Sequence, residues 1–127
     1  TRADAAALLV AAGVPVALST FGLHEARKLR QWAGNAVRAG LPHPAALRAV
    51  TRAPALMFGL TDRGALTVGA RGDVVVWSGD PFETRTRAEH VFVAGEPAPL
   101  DHRQRALLDR YRDLPPLPPE TAAPAAK

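Results

Sequence analysis

Three short runs in this sequence suit β-strands, and they are too few to make a sheet that stands alone. Val14-Pro15-Val16-Ala17-Leu18 is apolar throughout and suits a buried strand, with Pro15, which has no N–H for a ladder, near its start. Asp73-Val74-Val75-Val76-Trp77 is β-branched and reads as a second strand, and His90-Val91-Phe92-Val93-Ala94, closed by Gly95, reads as a third. The first run is separated from the others by more than fifty residues, most of them helical in pattern. Strands of this kind need partners that the chain does not obviously supply.

The helical pattern is clear around them. Ala5, Leu8, Leu9 and Ala12 recur at helical spacing over residues 3–12, and Gly13 is a natural stop because glycine accepts the left-handed conformation there. Residues 24–39 predict the longest helix, with Ala26, Leu29, Trp32, Ala33, Ala36 and Val37 on one stripe and Gly40 at its end. Pro44 sits where a first helical turn tolerates proline. Pro54 opens a further short helix that stops at Gly59. From residue 61 the texture changes to a glycine-punctuated β-unit, in which Gly79-Asp80-Pro81 is turn chemistry. Residues 101–112 predict an exposed, charged helix anchored by Leu107, Leu108 and Tyr111. Residues 114–127 hold five prolines and several alanines, and are expected to form a flexible tail.

Composition narrows the function classes. The formal charge is +4 and most basic residues are Arg, but they are dispersed among Asp and Glu, and aromatic residues are only 6%. That pattern lacks the basic, aromatic-flanked patch of a nucleic-acid site. The chain has no Cys, which excludes disulfides, thiolate catalysis and Cys-ligated zinc within it and leaves the compartment open. No apolar run is long enough to span a bilayer. The sequence opens on Thr1-Arg2-Ala3-Asp4, without Met and without a signal-peptide layout, so a piece of a longer protein is expected. A processed chain would look the same.

The ordered motifs resemble a family. Ala12-Gly13-Val14-Pro15-Val16-Ala17-Leu18-Ser19-Thr20 resembles the last barrel strand of the amidohydrolase superfamily. Ala33-Gly34-Asn35-Ala36-Val37 with Gly40-Leu41-Pro42, and Ala46-Leu47, Thr51, Pro54-Ala55 and Phe58-Gly59-Leu60, are similar to the following elements of imidazolonepropionase-like amidohydrolases. Asp62-Arg63-Gly64-Ala65-Leu66, Gly72-Asp73-Val74-Val75-Val76 and Val91-Phe92-Val93-Ala94-Gly95 resemble its closing strands. Each motif alone is weak; the series, running in order from about residue 5 to 97, is specific.

The resemblance implies an α/β fold: the C-terminal fragment of a (β/α)8 TIM barrel plus the C-terminal strands of a small composite β-sandwich. Residues 1–60 would be the last barrel strand and its helices, 61–98 the sandwich strands, 99–113 a C-terminal helix and 114–127 the tail. The N-terminal barrel portion would be the missing partner.

The resemblance also implies hydrolysis of C–N bonds other than peptide bonds, in small-molecule amides or cyclic amides, by water that a divalent metal, zinc by first expectation, activates. Most of the ligands would lie in barrel strands outside this chain, so it is expected to bind no metal and to be inactive alone. The one ligand that would fall here is an Asp after the last strand, and Phe21 stands in its place. Phenylalanine neither binds a metal nor accepts a proton. Three readings stay open: another residue substitutes, His24 being a weak candidate and Glu25 its neighbour; the other strands suffice; or the protein is a non-catalytic relative with a binding or structural role.

The remaining polar and aromatic residues read more plainly. His24 also fits a helix-start or surface residue. His43, before Pro44, reads as a helix-start residue, and His90 and His102 as surface positions. The resemblance implies a structural place for Asp73 in the sandwich, and Asp80 reads as a turn former. Trp32 and Trp77 fall at apolar positions and are expected in the core. No phosphate loop, nucleophile elbow or H-E-x-x-H pair is present.

Overall fold

The structure, a computed structural model, describes residues 2–101 and 103–113. The first helix, α1 (Ala5–Ala11), ends as its sequence predicts: Gly13 follows at φ 76°. After it, residues 14–20 form no strand. The run Val14 to Leu18, expected to be a strand, has no ladder among the described residues. A strand exists only where a neighbour completes its ladder; this segment instead bonds back to the helices, Val14 N–H to the Leu9 carbonyl and Leu18 N–H to the Ala49 carbonyl (both 2.9 Å).

The long helix expected over 24–39 is split. Leu23–Lys28 is a 3-10 turn, and α2 (Leu29–Arg38) follows it. Next come α3 (His43–Val50), with Pro44 in its first turn, and α4 (Arg52–Met57), which contains Pro54 and is followed by Gly59 at φ 73°. Pro54 lies in the first turn of α4, where its missing N–H has no intrahelical partner to lose.

The core is small and built on alanine. Ala33 of α2, Leu41, Ala46 of α3 and Phe82 form the buried cluster, with Ala6, Ala7 and Val10 of α1, Leu18, Ala36, Val37, Ala45 and Val50 packed around it. Small side chains let the helices approach closely. Ala33, Ala36 and Val37 take the inner face of α2, and Trp32, one residue earlier, points about 100° away. It is 54% exposed, so it is not a core residue in this chain.

The β-unit is a three-stranded antiparallel ribbon in the order β1 (Val74–Trp77), β2 (Ala88–Val93), β3 (Glu96–Pro97). Val74 pairs with Phe92, Val75 with Val91 and Val76 with His90; a bulge then places Trp77 opposite Ala88. The bulge breaks strict alternation and leaves Trp77 half-buried. Ala94 and Gly95, at φ 54° and 86°, make the tight turn into β3, a strand too short to announce itself in the sequence.

The last helix, α5 (Arg103–Tyr111), forms where expected but buries nothing. Leu107, Leu108 and Tyr111 are exposed rather than anchored. Exposed apolar side chains also include Leu8, Leu9, Val14, Val75, Val76 and Val93. The flexible tail expected over 114–127, and His102, lie outside the described residues. No helix among the described residues is long and apolar enough to cross a membrane.

Candidate functional site

The segment from Ser19 to Lys28 carries the candidate residues, and local bonds shape it. The Phe21 N–H donates to Ser19 Oγ (3.1 Å), and the Thr20 hydroxyl donates to the Gly22 carbonyl (3.2 Å). Two hydroxyls thus brace the loop on either side of Phe21. Between them Phe21 adopts φ 57°, a region that bulky side chains avoid. Its ring is fully exposed. The Gly22 carbonyl accepts the Glu25 N–H (3.0 Å) and starts the 3-10 turn.

His24 folds back over this loop. A Cβ at Gly22 would lie 3.0 Å from the His24 ring, so glycine permits that approach. His24 is therefore placed against Gly22, one residue from Phe21, on the surface. Glu25 is not free: its carboxylate takes the Lys28 ammonium at 2.6 Å.

A second cluster joins the helices to the β-unit. His43 Nε2, at the start of α3, lies 3.1 and 3.0 Å from the two carboxylate oxygens of Asp80. The Asp80 carboxylate also accepts the Phe82 N–H at 2.9 Å. That backbone bond first, and His43 second, hold its carboxyl below the usual carboxylate range. The His43 ring lies 5.0 Å from the Phe82 ring. Both residues had legible local roles, helix start and turn former. Their meeting across 37 positions had no local signal.

Asp73 has the structural role expected of it. It accepts the Ala94 N–H at 2.8 Å and the Arg71 guanidinium at 3.1 Å. The Ala94 bond is the main reason its carboxyl titrates low. His90 is exposed on β2.

These residues do not make a metal centre. Among the described residues no group of three or more His, Cys, Asp or Glu could hold an ion. Two of the nearest carboxylates are already paired, Glu25 with Lys28 and Asp80 with His43. The chain's own donor set does not fit a metal, and no chemical step is derived through one.

The profile of the Amidohydrolase family matches residues 3–99. The chain belongs to the amidohydrolase family. N-acyl-D-glutamate deacylase of Alcaligenes xylosoxydans xylosoxydans is 40% identical over 80 residues, covering 52% of this chain and 16% of that protein. The solved structure of an amidohydrolase from Thermotoga maritima MSB8 superposes with a TM-score of 0.70 at 31% identity. That match covers 75% of this chain and 25% of the solved one. This amidohydrolase chain thus spans a minor part of either relative's length. Its helices and antiparallel ribbon lie almost wholly inside the matched region, and α5 lies beyond it.

Proposed function

We propose that the chain is the C-terminal part of a larger amidohydrolase that hydrolyses C–N bonds in small-molecule amides. Residues 1–60 would supply the last barrel stave and its helices, 61–98 the C-terminal strands of a composite β-sandwich, 99–113 a peripheral helix and 114–127 a tail. The observation that carries the reading is the family match over residues 3–99. The segment 14–18 supports it. This segment is apolar, is not laddered to any described strand, begins with exposed Val14, and follows a helix with exposed Leu8 and Leu9. A stave whose neighbours lie elsewhere would look like this.

In such a protein a divalent metal would polarise the amide carbonyl and activate water. Its ligands would come from the missing strands. The loop 19–25 would sit at the barrel's C-terminal mouth, where this architecture places chemistry. His24 is then the nearest ionisable side chain of this chain that is not tied up in an ion pair. The curated relative's name points to N-acyl amino acids as the first substrates to try.

A second reading has a specific observation in its favour. Phe21 stands where a carboxylate is expected, and a non-catalytic relative with a binding or structural role would tolerate that. Metal analysis and amine release by the full-length protein separate the two. The substrates are N-acetyl-, N-hexanoyl- and N-decanoyl-D-glutamate. Bound divalent metal with chelator-sensitive hydrolysis is the expected result. Metal-free protein with no amine released from any of the three favours the second reading.

A further inference from the structure

We infer that Phe21 is a substrate-contact residue that receives an apolar group of the ligand, the acyl chain in an N-acyl compound. This rests on the proposed placement of residues 19–22 at the barrel mouth. Three observations carry it. The phenyl ring is fully exposed while the backbone beneath it is braced by two side-chain hydroxyls, from Ser19 and Thr20. The loop holds an aromatic residue at φ 57°, a conformation that glycine or asparagine would adopt with less strain. And the stretch from Val14 to Gly22 has no ionisable side chain, so what it can offer a ligand near Phe21 is apolar surface and hydroxyls.

The neighbours fit this assignment. Glu25 is paired with Lys28, and the His24 ring lies against Gly22, so no carboxylate of this segment competes for the space above the ring. A braced aromatic edge gives selectivity by area: each methylene laid against it adds affinity, and a charged group gains nothing.

The test uses the full-length protein with the three N-acyl-D-glutamates above, as wild type, Phe21→Ala and Phe21→Leu. Calorimetric Kd and kcat/KM are both read. The wild type is expected to favour decanoyl over acetyl. Phe21→Ala should weaken the decanoyl compound roughly tenfold and leave the acetyl compound within about twofold. Phe21→Leu should restore most of the preference. An equal loss across the series, or an unchanged chain-length dependence, overturns the inference and makes Phe21 a packing residue. If no amine is released, the hydrolase reading fails, but Kd still decides this one. Failure of the whole series to bind overturns both.

Discussion

The guanidinium of Arg30 lies 4.6 Å over the ring of Trp77, and its Nη1 donates to the Pro81 and Thr86 carbonyls at 2.9 and 3.2 Å. One side chain of α2 thus grips β1 and the turn after it. Arg30→Ala removes a cation–π contact and two charge-assisted bonds at once, for about 2–3 kcal/mol of stability. Arg30→Lys should recover less than half, because an ammonium lacks the planar fork. Denaturant unfolding of the full-length protein checks both. A loss under ~0.5 kcal/mol for the alanine variant would show that the grip is incidental.

Gly34 and Phe82 make the other joint between the helices and the turn. A Cβ on Gly34 would lie 2.8 Å from the Phe82 carbonyl oxygen. Alanine in mid-helix ordinarily stabilises by up to about 1 kcal/mol. Here the clash with backbone should reverse that sign, and Gly34→Ala should destabilise by about 1–3 kcal/mol. Phe82 is 5% exposed within an alanine core that cannot collapse around a void, so Phe82→Ala should cost about 3–5 kcal/mol. A stabilised Gly34→Ala protein would mean that α2 and the turn can separate.

Asp80 gives the pH dependence. Its folded carboxyl titrates below the unfolded value because the Phe82 N–H and His43 favour the charged form. A lowered carboxyl contributes stability above its unfolded pKa, near 3.9, and loses it as pH falls through the folded value. The stability gap between wild type and Asp80→Asn should therefore hold above about pH 5 and close toward about pH 2. Unfolding midpoints across that range measure it. A gap that stays constant down to the lowest pH would remove Asp80 as the source.

What was legible followed from local chemistry. Gly13, Gly40 and Gly59 end their helices at positive φ, Pro44 opens α3, and Val74 to Trp77 pair as a strand. Each outcome depends on a few adjacent residues. Val14 to Leu18 read as a strand because the run is apolar, but apolarity expresses a need for neighbours and does not supply them. Trp32 was expected in the core because it falls at an apolar position, but it is left exposed. The Arg30 and His43 contacts could not be read, because they join positions dozens of residues apart. At the candidate loop, the family resemblance places Phe21 where a carboxylate is expected. The sequence could not show the strained, braced backbone, which depends on where the Ser19 and Thr20 hydroxyls point.

Ala94 is the second non-glycine residue at positive φ among those described, and its role contrasts with that of Phe21. Its N–H is held by the Asp73 carboxylate and its turn partner is Gly95, so the geometry serves the β2–β3 hairpin. Nothing there needs the alanine side chain. Ala94→Gly should therefore stabilise, by up to about 1 kcal/mol, as relief of left-handed strain outweighs the added freedom of the unfolded chain. Gly95→Ala puts a Cβ at φ 86° and should destabilise by about 1–2 kcal/mol. Paired denaturant titrations test this. If Ala94→Gly instead weakens the protein, the hairpin conformation is imposed by contacts outside the turn, and Asp73 is the first residue to mutate in search of them.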